Sequence, residues 1–225
     1  MTQEKTKQEW FDHFYTKEFK RLLDEDKFAR EQNTANWILG KEVRITRTPN
    51  VDIAAVTTVA KGIDELLREI GLDFQVIDVG IDSQIVTAVT YSTTQSGKIE
   101  TQLLKKTLPT KRQADYASVV LTDKLFADGI KDWGEGNFPR GTLILALPQD
   151  RQHSTLLRNI TKHETAHLFG YHYHHDDYKI TGYKEPENCV MRWQASTNYL
   201  CDKCKYALKA FWKGIERDSG KRFMR

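Results

Sequence analysis

The spacing of hydrophobic and polar positions changes several times along the 225-residue chain, and each change predicts an element. In EVRITR (42–47), Val43 and Ile45 alternate with polar neighbours, the two-residue period of a half-buried strand. Through VDIAAVTTVAKGIDELLREIG (51–71) apolar residues recur every three or four positions, which predicts a helix stopped by Gly71. DFQVIDVG (73–80) reads again as a strand, so 42–80 forms a βαβ unit whose two strands are parallel. Residues 81–113 are rich in Thr, Ser and Gln and punctuated by Gly97 and Pro109; part strand and part loop is expected there. YASVVLT (116–122) and GTLILALP (141–148) read as strands on either side of FADGIKDWGEGNFPR, a turn-rich stretch. STLLRNITKHETAHLF (154–169) predicts a helix capped by Ser154 or Thr155 and ended by Gly170. Two regions follow: a charged helical extension over 1–36, with Trp10, Phe14, Phe19, Leu22 and Leu23 at roughly helical spacing, and one compact domain over 37–225.

Composition narrows the class. At 39% hydrophobic and 29% charged, the chain is long enough to bury a substantial core as a globular protein. Its start, MTQEKTKQEWFDHFYTKEFK, has no apolar run resembling a signal peptide, and no stretch approaches membrane-spanning length, so a cytoplasmic location is expected. A net charge of +3 is too small to argue for nucleic acid. The basic C-terminal stretch CDKCKYALKAFWKGIERDSGKRFMR reads as a helix with a solvated face. Cys189, Cys201 and Cys204 cannot all pair within one chain; with two of them spaced Cys-x-x-Cys in a reducing compartment, metal ligation is expected before a disulfide.

Five of the seven histidines fall between positions 163 and 175. On the predicted helix, His163 and His167 lie one turn apart on one face, so their imidazoles can grip one ion. Glu164 sits between them in the His-Glu-x-x-His arrangement, where a carboxylate can reach a metal-bound water without itself binding the metal. Such a carboxylate is a general base for amide hydrolysis. Gly170, free of a Cβ, lets the chain turn back and bring a third ligand from YHYHH. His13 and His153 read as surface histidines. Trp133 and GEGN are candidates to line a cleft, although GEGN reads first as a turn.

HETAHLFG (163–170), the histidines after it, CVM (189–191) and CDKC (201–204) together resemble the archaemetzincin family of metallopeptidases. The resemblance is strongest over 116–210, where VVLTDKLF, WGEG and GTLILALP fall at the family's central strands, and weak or absent over 1–40 and 81–113. It implies an α/β, metzincin-like mixed sheet with a βαβ start, a zinc-binding active-site helix, and a C-terminal helix after a Met-turn that places Met191 beneath the metal. It also implies two zinc ions, one catalytic and one structural, the second held mainly by cysteines within 174–204.

The chain departs from the family at the third histidine. The family places it three residues after the glycine and follows it at once with a cysteine; here those positions are Tyr173 and His174. A phenol must lose a proton of pKa near 10 to bind a metal, which makes it a poor replacement for neutral imidazole. A one-residue insertion accounts for both departures: His174 becomes the third catalytic ligand, and His175 joins Cys189, Cys201 and Cys204 in a Cys3His site. The unshifted register instead gives His172 or Tyr173 to the catalytic metal and His174 to the cysteines. Asp176 and Asp177 are either partners orienting the histidines or solvated loop acids. The expected function is zinc-dependent hydrolysis of a peptide or protein substrate with Glu164 as base, GTLILALP offering its backbone to an extended peptide. The rival is a zinc scaffold or nucleic-acid-binding module without turnover.

Overall fold

The computed structural model describes residues 36–108, 115–127, 133–138, 140–171, 174, 188–192 and 196–225. The expected N-terminal extension lies outside them, up to residue 35, as do His13, His172, Tyr173, His175, Asp176 and Asp177.

The alternating and helical periods of 42–80 fold as read. Strand β1 (Glu42–Arg47) leads into helix α1 (Ile53–Ile70) and returns as β2 (Gln75–Gly80), parallel to β1. The Asp52 carboxylate caps α1 by accepting from the Ala54 N–H, and Gly71, at φ 78°, closes it in a left-handed turn. Ala55, Val56, Val59, Ile63, Leu66, Leu67 and Ile70 form the buried stripe of α1 against the sheet.

Among its described residues, up to 108, the segment 81–113 forms helices in place of the strand that its composition suggested. It forms α2 (Ser83–Tyr91) and α3 (Thr101–Thr107). Asp82 caps α2 through the N–H groups of Gln84 and Ile85. The threonines that read as strand formers bond back along the chain: the Thr87, Thr90 and Thr93 hydroxyls donate to the carbonyls of Ser83, Val86 and Val89 at 2.7–2.8 Å. Ile85, Ala88, Val89 and Leu104 then pack on one face of the sheet with Val120, Ile144 and Ala146, and this burial decides the outcome over local propensity.

The remaining strands are β3 (Tyr116–Thr122), β4 (Gly134–Asn137) and β5 (Thr142–Ala146), giving a five-stranded sheet in the order β2-β1-β3-β5-β4. All neighbours are parallel except β4, which pairs antiparallel with β5. This mixed sheet corrects two expectations. GEGN is an edge strand rather than a turn, and GTLILALP cannot offer its backbone to a peptide, because β5 is hydrogen-bonded to β3 on one side and β4 on the other. The ion pair of Lys105 with Glu135 ties α3 to β4.

A short helix α4 (Gln149–Gln152) precedes α5 (Leu157–Leu168), and α6 (Asp202–Ser219) follows. Ser154 and Thr155 stand ahead of α5 instead of capping it; Leu156 occupies the cap without a side-chain bond. The C-terminal helix is amphipathic rather than merely solvated, burying Ala207, Leu208, Phe211, Trp212 and Ile215. Helices α1, α5 and α6 share the main core with Val43, Ile45, Val119, Leu121, Leu143 and Leu145. No helix among the described residues is long and apolar enough to cross a membrane.

Candidate metal centre

Three features hold α5 in place. It lies against α1, with Arg158 bonded to Glu65 and the buried Lys162 ammonium 2.5 Å from Glu69 Oε1. Its C-terminal end is fixed where the Trp212 indole donates to the Phe169 carbonyl at 3.0 Å. There Gly170 adopts φ 99°, and a Cβ would stand 2.3 Å from Phe211 Cε1, so both conformation and packing require glycine. The chain then reverses, with the Tyr171 N–H bonded to the Ala166 carbonyl at 2.9 Å.

That reversal brings His174 to the helix histidines. The three Nε2 atoms of His163, His167 and His174 form a triangle with sides of 3.1, 3.1 and 3.2 Å. His163 Nδ1 lies 2.7 Å from the Val190 carbonyl, and His167 Nδ1 lies 2.5 Å from the Tyr171 carbonyl. A carbonyl oxygen only accepts, so both Nδ1 atoms carry the hydrogen, and a neutral imidazole then presents a bare lone pair at Nε2. Two lone pairs thus face each other beside a third nitrogen, an arrangement that a shared cation relieves. Nitrogens bound at about 2.0–2.1 Å in a tetrahedral site stand about 3.3 Å apart, so the triangle fits zinc.

Burial holds the His163 imidazole neutral by pushing its pKa down to about 4, with the neighbouring His174 adding to the shift and the Val190 hydrogen bond opposing it. A pH dependence follows for the metal-free protein. The unfolded imidazole, near 6.5, binds a proton that the folded one refuses, so His163 costs the fold nothing above about pH 6.5 and destabilises it progressively down to about 4. The full penalty is about 3 kcal/mol. Urea midpoints of chelator-treated protein at pH 7, 5.5 and 4, compared with His163→Phe, measure it. Equal pH slopes for the two proteins would mean that His163 is not held neutral.

Glu164, beside the first histidine, is met by the edge strand: the Gly136 N–H donates to its Oε2 at 3.1 Å. This approach needs glycines. A Cβ on Gly136 would come within 2.2 Å of the Glu164 carbonyl oxygen, and one on Gly134 within 2.9 Å of Glu164 Cγ. Trp133, at the start of the strand, carries Arg151 4.8 Å above its ring.

The three cysteines form a second, fully buried cluster. Cys204 Sγ lies 3.4 Å from Cys201 Sγ and 3.8 Å from Cys189 Sγ, far beyond a disulfide bond of about 2.05 Å but close to the roughly 3.75 Å expected between thiolates on one tetrahedral zinc. Desolvation, then hydrogen bonding with Cys189 and Cys201, raises the Cys204 thiol well above its usual range. Thiolate in this setting requires a bound cation. The Tyr171 hydroxyl lies 3.1 Å from Cys204 Sγ. Met191 is fully buried in the turn after Cys189.

The structure therefore brings together two groups named from the sequence: His163, His167 and His174, and Cys189, Cys201 and Cys204. Sequence reading gave no role to Val190 or Tyr171, which act through backbone atoms, and had Gly136 only within GEGN as a candidate cleft lining. Gly170 and Cys189, one residue away from two of them, were the available signals.

No family model matches this sequence, and no curated protein matches it. The fold has a counterpart among solved structures: the crystal structure of archaemetzincin from Methanopyrus kandleri aligns with a TM-score of 0.54 over 76% of this chain and 95% of that one, at 15% identity. At that identity the likeness establishes the metzincin-like fold alone.

Proposed function

We propose that this chain is a zinc-dependent metallopeptidase, with His163, His167 and His174 as ligands of a catalytic zinc and Glu164 as general base. The observation that carries the reading is the pair of unprotonated Nε2 atoms aimed at a third imidazole, with a carboxylate fixed beside them by the edge strand. Zinc bound there supplies Lewis acidity and lowers the pKa of a water toward about 7. Glu164 would take a proton from the water as its oxygen bonds to the scissile carbonyl carbon, and would return it to the amine nitrogen as the C–N bond breaks. The Gly136 N–H holds the accepting carboxylate against the edge strand. The outer edge of β4, which has no strand partner among the described residues, suits an extended peptide adding as a further strand.

Cys189, Cys201 and Cys204 are assigned to a structural zinc, with His175 as the fourth ligand. Three reduced cysteines accord with a cytoplasmic setting. The test combines metal content with hydrolysis of a broad peptide library. Two zinc ions per chain are expected, with cleavage lost on chelation and restored by zinc. Two bound ions without cleavage of any peptide would leave a zinc scaffold as the better account.

A further inference from the structure

We infer that the cysteine cluster sets the metal affinity of the histidine site, through Tyr171 and Val190 as positioning residues. The inference rests on the metal-centre reading above. Both helix ligands have their rear nitrogens held by carbonyls, and each of those carbonyls belongs to a residue anchored on the cysteines. Tyr171 accepts from His167 through its carbonyl while its buried hydroxyl stands against Cys204 Sγ. Val190 accepts from His163 and directly follows Cys189 in the chain; its own N–H donates to the Tyr199 carbonyl at 2.6 Å. The segment carrying Tyr199 is drawn to the same cluster, since the Cys201 N–H points at Cys189 Sγ at 3.4 Å. Lys162, next to His163, donates to the Asn198 carbonyl at 2.7 Å and locks this segment to the helix.

A metal on the three thiolates therefore fixes the two carbonyls that choose the tautomer and the ring direction of His163 and His167. Outer partners of metal-bound histidines are worth about 10–100-fold in metal affinity. Coupling of this kind is reciprocal: filling the histidine site must tighten the cysteine site by the same factor.

The test uses the full chain, reduced and stripped of metal, and titrates it with cobalt(II). Thiolate-to-cobalt absorption in the near ultraviolet follows the cysteine site, and the weaker visible bands of imidazole-bound cobalt follow the histidine site. Cys204→Ser is expected to weaken the histidine site about tenfold to a hundredfold although it removes none of that site's ligands. Tyr171→Phe keeps all three thiols and the His167 acceptor; it should keep the thiolate band and weaken the histidine site by at least threefold. If Cys204→Ser does not fold, Tyr171→Phe alone decides. Histidine-site affinity within threefold of wild type in every variant that folds overturns the coupling. A wild-type titration in which the histidine bands never appear overturns instead the metallopeptidase reading itself.

Discussion

Glu164→Gln is expected to reduce kcat/KM on any cleaved peptide by about 10²–10⁴-fold, the usual contribution of a positioned acid-base group, while both metals stay bound. The two side chains have nearly the same shape. A glutamine oxygen can still accept the hydrogen bond that Gly136 now gives to Glu164 Oε2, so the contact between β4 and α5 survives and the melting temperature should move little. What the amide cannot do is take a proton from water. Isothermal kinetics and metal analysis on the same preparation separate the two roles: turnover equal to wild type removes Glu164 from the mechanism, and loss of metal along with turnover makes it a structural group.

Gly136→Ala should act at the same point from the opposite side. The added methyl would lie 2.2 Å from the Glu164 carbonyl oxygen and 2.8 Å from the Leu168 nitrogen, both backbone atoms that no rotamer change can move aside. Either β4 or α5 must shift. Overpacking of this kind costs about 1–3 kcal/mol, and displacement of a catalytic group by about 1 Å costs on the order of 10²-fold in rate. We expect both losses, read from a urea titration and from kcat/KM. An alanine variant with wild-type stability and rate would mean that β4 does not press on the helix.

This strand also shows why part of the molecule was hidden from the sequence. GEGN has four residues, two of them glycine, and no alternation of its own; it is a strand because Leu143 and Leu145 in β5 hold it in antiparallel register. Its glycines read as punctuation when taken alone, whereas the fold uses them to bring one backbone against another. The helices of 81–107 were hidden for a related reason, since threonine back-bonding and burial against Val120 and Ile144 are set by distant parts of the chain. The βαβ start was legible because Val43, Ile45 and the stripe of α1 change period within a few residues. The helix pair of histidines and the cysteines were legible as candidate ligands because such ligands are side chains, and side chains have letters. The Val190 and Tyr171 carbonyls have none.

Lys162 has a bearing on how the protein meets metal scarcity. Its ammonium, 1% exposed, is held by Glu69 and by the Asn198 carbonyl, and the second oxygen of Glu69 has Lys205 of α6 at 3.8 Å. The ammonium is buried while Glu69 remains partly exposed, so α5 is fastened to α1 by contacts that need no ion. The helix backbone at His163 and His167 therefore keeps its place without an ion, whereas the direction of the two rings rests on the Val190 and Tyr171 carbonyls. The cysteine cluster lacks this independence, because thiols that are buried and protonated must be ionised again before they can bind. If both clusters hold zinc as proposed, they would differ under depletion: the histidines would rebind on a helix that is already fastened, whereas each reloading of the cysteines would also have to release protons, which would make acidity a brake on recovery.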